Sequence, residues 1–176
     1  GLPAGPRHDR VARGPPRGAG SVPAFVRRGG RDAGKRFVEA EYDIDDVVSV
    51  FEHYSSLGTK LSTERRVDTG RDGIDSRIVK EPIGVCSLIT PWNYPLLQAS
   101  WKIAPALLAG NTFVLKPSEI TPHSSIALIR ALDEAGVPAG VANLVLGTGP
   151  GCGGPLSTDP RVALVSFTGS LAVGRH

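Results

Sequence analysis

Four short polar stretches hold the side chains of this sequence best equipped for chemistry: Thr90-Pro91-Trp92-Asn93, Lys116-Pro117-Ser118-Glu119, a glycine-rich run from Gly147 to Gly154, and Phe167-Thr168-Gly169-Ser170. The Asn93 amide can donate to an oxygen on which negative charge develops. Asn ahead of Tyr94-Pro95 is equally a good turn residue. Lys116 and Glu119 stand three apart around Pro117-Ser118, a stiffened turn that lets an ammonium and a carboxylate converge on one polyol. A carboxylate accepting from ribose hydroxyls repels a 2′-phosphate, so the pair favours NAD over NADP. Its plainer alternative is a surface ion pair of little energetic weight. Ser170, with backbone N–H groups at a helix start, suits a phosphate or serves as an ordinary helix cap.

Gly149, Gly151 and Gly154 formally satisfy G-x-G-x-x-G. The dinucleotide fingerprint needs a long helix after the glycines and an acidic residue about 20 positions on. Pro155 and Asp159-Pro160 leave little room for such a helix, so tight-turn glycines are the better account.

The elements that must position these turns alternate. An apolar run over Ile83 to Ile89 reads as a strand covered on both faces, and Leu96 to Ala109 as an apolar helix that Pro105 should kink. Thr112 to Leu115 reads as a second strand, followed by a helix capped by Thr121 with Pro122 at its first position and ended by Gly136 and Pro138. Ala142 to Leu146 and Val162 to Phe167 complete four strands, with Gly169-Ser170 opening a further helix. Strand–helix alternation predicts a parallel α/β sheet with right-handed crossovers. All four polar turns then follow strands and share one crevice. Upstream, Val38 to Leu57 has helical periodicity with an acidic first half, and residues 64 to 80 alternate around Asp72-Gly73 as an exposed hairpin. The edge of that hairpin offers a pairing surface for another subunit.

Composition narrows the function classes. At 176 residues and 40% hydrophobic content, one core plus an extension is expected. No apolar run approaches the roughly 18 residues of a membrane span, which predicts no membrane partner and a cytoplasmic location. Two cysteines and four scattered histidines give neither a disulfide framework nor ligand spacing, so no metal is expected. Residues 1–36 hold nine basic against two acidic residues, with eight Gly and five Pro. That predicts a disordered leader, distinct from a globular part over 37–176 carrying eleven basic against fifteen acidic residues. The basic charge belongs to the leader, and with Phe25 its only interleaved aromatic it does not predict nucleic-acid binding.

EPIGVCSLITPWNYPLLQASWKIAPALLAGNTFVLKPSEITP, GVPAGVANLVLGTGPG and VSFTGSLAVG, in that order, resemble the NAD(P)-dependent aldehyde dehydrogenase superfamily, nearest its betaine-aldehyde and aminoaldehyde members. The likeness runs from about Val38 to His176. It implies an α/β, Rossmann-like open parallel sheet with helical crossovers, present in part, over a cofactor-binding domain at 37–176. It implies that Asn93 helps form an oxyanion hole. It implies a cofactor surface made by Ile89, Thr90, Pro91, Trp92, Lys116, Ser118, Glu119, Gly147, Phe167, Gly169, Ser170 and Val173. Within that surface Lys116 and Glu119 would take the adenosine ribose, Ser170 the pyrophosphate, and Gly147 would lie near the adenine.

The family's nucleophilic cysteine and general-base glutamate lie C-terminal to the helix that Ser170 opens and have no counterpart in residues 1–176. Cys86 falls mid-strand and Cys152 on the cofactor side, so neither replaces the nucleophile. The resemblance therefore implies a fragment: NAD-dependent oxidation of an aldehyde to a carboxylate in the complete enzyme, with the aldehyde bound only there. The chain alone is expected to be inactive. The alternatives are a non-catalytic nucleotide-binding or interaction fragment, or a remnant without function.

Overall fold

The computed structural model describes residues 22–175. The expected leader therefore lies, through residue 21, outside the described residues. Its C-terminal part is corrected: Val22–Ala33 forms a helix, α1. Pro23 falls in the first turn, where its missing N–H is no loss, and Phe25 and Val26 are buried in the core. A β-carbon on Gly29 would lie 3.8 Å from that of Ala40, so α1 packs closely on α2 (Phe37–Gly58). Burial here outweighs the poor propensity of a Gly-Gly segment.

Ala40, Ile44 and Val47 of α2 are buried at helical spacing, while Glu39, Glu41, Asp45 and Asp46 are exposed. Residues 64–80 give the expected hairpin, β1 (Glu64–Val67) against β2 (Ser76–Val79), antiparallel from Glu64–Val79 to Val67–Ser76. Gly73 supplies the left-handed backbone of its turn, φ 79°.

The alternation then follows as β3 (Val85–Ile89), α3 (Pro95–Leu108), β4 (Thr112–Lys116), α4 (His123–Glu134) and β5 (Ala142–Leu144). A π-helical turn over Gly149–Gly153, α5 (Gly154–Thr158), β6 (Val162–Phe167) and α6 (Leu171–Gly174) complete the described elements. Strand β3 starts two residues later than expected: Gly84 has φ 115°, and the Ile83 and Gly84 N–H groups turn aside to donate to Asn111 Oδ1. The five residues of α5 confirm that no long helix follows the glycine run.

The sheet has order β5-β4-β3-β6, and every neighbouring pair is parallel. Strands β3, β4 and β5 step to one side and β6 returns to the other flank of β3, so the strand order reverses beside β3. Such reversals open a crevice at the carboxyl ends of the strands. Cys86, Leu88, Phe113 and Leu115 join residues of α1, α2, α3 and α4 in one core. Side chains alternate across a strand, so Ser87, Ile89 and Lys116 fall on the opposite face.

Thr121 does not cap α4. The helix starts at His123, and the carboxylate of Asp32, on α1, accepts from the N–H groups of His123 at 3.0 Å and Ser124 at 3.3 Å. Thr121 Oγ1 instead donates to the Trp92 carbonyl, at 3.3 Å. A buried carboxylate answers the unpaired N–H groups of the helix start better than a hydroxyl, through both hydrogen bonding and the helix dipole.

Candidate functional site

Three of the resemblance's residues form a row. Ile89 is in register with Lys116 on one side and with Phe167 on the other. In parallel strands, register partners project to the same face, so Lys116, Ile89 and Phe167 lie side by side at the carboxyl edge of β4, β3 and β6. The turns leave the sheet tied together: the Thr90 N–H donates to the Lys116 carbonyl and the Thr168 N–H to that of Ile89, both at 3.1 Å.

Lys116 is buried, 3% exposed, yet its ammonium is supplied with partners. Nζ donates to the Pro117 carbonyl at 2.9 Å and to Glu119 Oε2 at 3.4 Å. That leaves one of its three N–H groups free among the described residues. The Glu119 side chain is 49% exposed. Its carboxyl is held below the ordinary glutamate range by its own backbone N–H, with help from the Lys116 charge and the Gly149 N–H and against its partial burial. The glycine loop thus reaches the pair, and a β-carbon on Gly153 would meet Lys116 Cδ at 3.7 Å. A recessed ammonium with a free donor beside an accessible, reliably ionised carboxylate is the donor–acceptor set that a vicinal diol satisfies.

Glycine is required sterically at two predicted positions. A β-carbon on Gly147 would lie 2.3 Å from Cys152 Sγ, and one on Gly169 would lie 2.4 Å from Phe167 Cζ. The Ser170 hydroxyl caps α6, accepting from the Val173 N–H at 3.3 Å. Ser118 Oγ accepts from the Ile120 N–H at 3.4 Å. Pro91 is half-buried, Trp92 and Val173 are exposed, and Asn93 is exposed with no side-chain hydrogen bond among the described residues. The structure therefore brings Ile89, Thr90, Lys116, Glu119 and Phe167 together, with Gly169 against Phe167. It leaves Asn93 exposed, without a side-chain partner among the described residues.

Thr90, a predicted cofactor residue, is 3% exposed, and its Oγ1 has no hydrogen-bond partner among the described residues. Ser87, Ser124 and Ser125 share that state, so the feature does not single out Thr90. Sequence reasoning missed several neighbours. The contacts of Gly149 and Gly153 were hidden by their reading as turn residues only. Tyr94 and Trp101 are both exposed, 45% and 50%. Tyr94 precedes α3 and Trp101 lies within it, and both were readable as aromatics beside the Asn93 turn. Lys102 donates to Ser166 Oγ at 2.9 Å, and burial pushes its ammonium pKa down. Among the described residues no group of three or more His, Cys, Asp or Glu is placed to hold a metal, and no helix is long and apolar enough to cross a membrane.

The model of the aldehyde dehydrogenase family matches residues 24–176. Betaine aldehyde dehydrogenase of Bacillus subtilis is 53% identical over 144 residues, which is 82% of this chain and 29% of the relative. Peroxisomal aminoaldehyde dehydrogenase 2 of Pisum sativum is 48% identical over 145 residues, 81% of this chain and 29% of the relative. The crystal structure of betaine aldehyde dehydrogenase from Staphylococcus aureus in complex with NAD+ superimposes with a TM-score of 0.85 at 42% identity, over 96% of this chain and 32% of that one. The chain thus spans about a third or less of the length of these relatives.

Proposed function

The chain belongs to the aldehyde dehydrogenase family, and from that premise we propose that it forms the cofactor-facing part of an enzyme oxidising an aldehyde to a carboxylate with NAD. The observation that carries this reading is the Lys116–Ile89–Phe167 row with Glu119 at its edge. NAD, when bound, supplies the hydride acceptor. Glu119 accepts from the adenosine ribose hydroxyls and Lys116 donates its free N–H to the same diol. The Glu119 charge disfavours a 2′-phosphate, hence NAD over NADP. Ser170 and the first N–H groups of α6 face the pyrophosphate, Gly147 borders the adenine, and the Asn93 amide donates to the oxygen of the aldehyde.

The relatives' names point to an aldehyde bearing an ammonium group, and the aromatics agree. Aromatic faces hold cations through their quadrupole, and the exposed Tyr94 and Trp101 stand at the start of α3 and within it. Tyr94 already carries a cation, with Lys35 Nζ 3.6 Å from its ring centroid.

Residues 1–176 alone do not turn over in this reading. A nucleophilic thiol must ionise and reach the aldehyde. Cys86 is 2% exposed on β3, and burial pushes its thiol pKa up. Cys152 Sγ is occupied at 3.8 Å with the Leu146 carbonyl in the glycine loop, on the cofactor side. The test is NADH production from betaine aldehyde and acetaldehyde by purified residues 1–176. No turnover is expected, and turnover abolished by Cys152→Ala would overturn the assignment.

A further inference from the structure

Lys35 lies outside every turn so far described, in the three-residue joint between α1 and α2 that Gly34 bends with φ 64°. Its ammonium forms an ion pair with Asp43, one and a half turns into α2, and both side chains are largely buried, 12% and 16% exposed. The same ammonium stacks on Tyr94 at 3.6 Å from the ring centroid. A lysine withdrawn from water, neutralised on one side and laid against an aromatic face on the other, is a strong and directional restraint. Tyr94 is the residue between Asn93 and the first turn of α3. Its own cap geometry restrains it little: φ is −131° and ψ 61°, with no side-chain cap hydrogen bond. Its carbonyl accepts from the Gln98 N–H at 2.9 Å, the first bond of the helix.

We propose that Lys35, held by Asp43, is a positioning residue for the Asn93 turn: by clamping the Tyr94 ring it fixes the backbone from which the Asn93 amide projects. Its functional meaning rests on the oxyanion role proposed for Asn93. The clamp itself is a statement about this chain and is measurable without turnover. It also gives the buried ion pair at the α1–α2 joint a role.

The test is amide hydrogen exchange of Gln98, whose N–H reports the Tyr94 carbonyl, with the Phe113 N–H, bonded to the Val141 carbonyl at 2.9 Å, as the control inside the sheet. Lys35→Met alone strands a buried carboxylate and endangers the fold. The informative variant is therefore Lys35→Met with Asp43→Asn, which removes both charges. It is expected to speed Gln98 exchange roughly tenfold, the scale of a partly desolvated cation–π contact, and leave Phe113 unchanged. Lys35→Arg keeps the cation and restores protection. In a Tyr94→Leu background, removing the charges has no further effect on Gln98. The proposal is overturned if Gln98 is as protected in the double variant as in the parent, if Gln98 and Phe113 accelerate together, or if the effect persists without the ring. Binding of NAD through Lys116 and Glu119 is unaffected by these variants, so failure of the clamp and failure of the cofactor reading remain distinguishable.

Discussion

Replacing Asp32 by alanine removes the carboxylate that joins the end of α1 to the start of α4, a contact spanning 91 residues of sequence. The Asp32 side chain is 2% exposed. It accepts from two backbone N–H groups of α4, at 3.0 Å and 3.3 Å, and from His123 Nδ1 at 2.7 Å. Loss of a helix N-cap costs about 0.5–2 kcal/mol, and loss of a negative charge at a helix N-terminus a further 0.3–1 kcal/mol or so. The His123 contact adds about 0.5 kcal/mol at most, because that side chain is 71% exposed. Asp32→Ala should therefore destabilise the fold by about 1–3.5 kcal/mol, lowering Tm by roughly 2–14 °C in a domain of this size. Asp32→Asn keeps an acceptor and loses only the charge, and should cost about 1 kcal/mol. Urea unfolding followed by the fluorescence of Trp92 and Trp101 measures both, provided the slope m is unchanged. An alanine variant within about 0.5 kcal/mol of the parent would refute the claim that α1 is held by this carboxylate and belongs to the folded unit.

Further expectations concern the loops. Gly147→Ala drives a β-carbon to 2.3 Å from Cys152 Sγ, so it should destabilise by about 1–3 kcal/mol. Adding Cys152→Ala should recover most of that loss in the same urea titration. Acid stability should report on Glu119. Because its pKa is lowered in the fold, chiefly by its own backbone N–H, its ionised form stabilises above the ordinary glutamate pKa of about 4.3. The contribution fades as pH falls through the lowered value. Glu119→Gln should therefore flatten stability against pH below the ordinary glutamate value of about 4.3. The Asp159 carboxyl, held at about 2 by the Arg161 side chain, loses its contribution lower in the scale and in both proteins alike.

The sequence disclosed the sheet because β3, buried on both faces, and β4, buried on one and half-buried on the other, read as apolar runs, and because each ends in a polar turn. It disclosed the Lys116–Glu119 pair because the two residues are local. What it concealed depends on distant contacts. Helix α1 is stabilised by burial of Phe25 and Val26, while its Pro23 and Gly29-Gly30 argue locally for disorder. The cap of α4 comes from Asp32, whereas Thr121, the residue that looks like a cap, is turned toward Trp92. The Lys35–Tyr94 stack joins residues 59 positions apart and leaves no mark on either one's local pattern. The orphaned Thr90 hydroxyl is visible only once its neighbours are known to supply nothing.

Calorimetric titration of residues 1–176 with NAD and with NADP tests the central claim most directly. The Lys116–Glu119 geometry predicts saturable NAD binding, weaker binding of NADP, and a loss of roughly tenfold or more in NAD affinity on Glu119→Gln, the scale of a charged hydrogen bond to a ribose hydroxyl. Equal affinity for the two dinucleotides, or NAD binding indifferent to Glu119→Gln in a variant that remains folded, would contradict it.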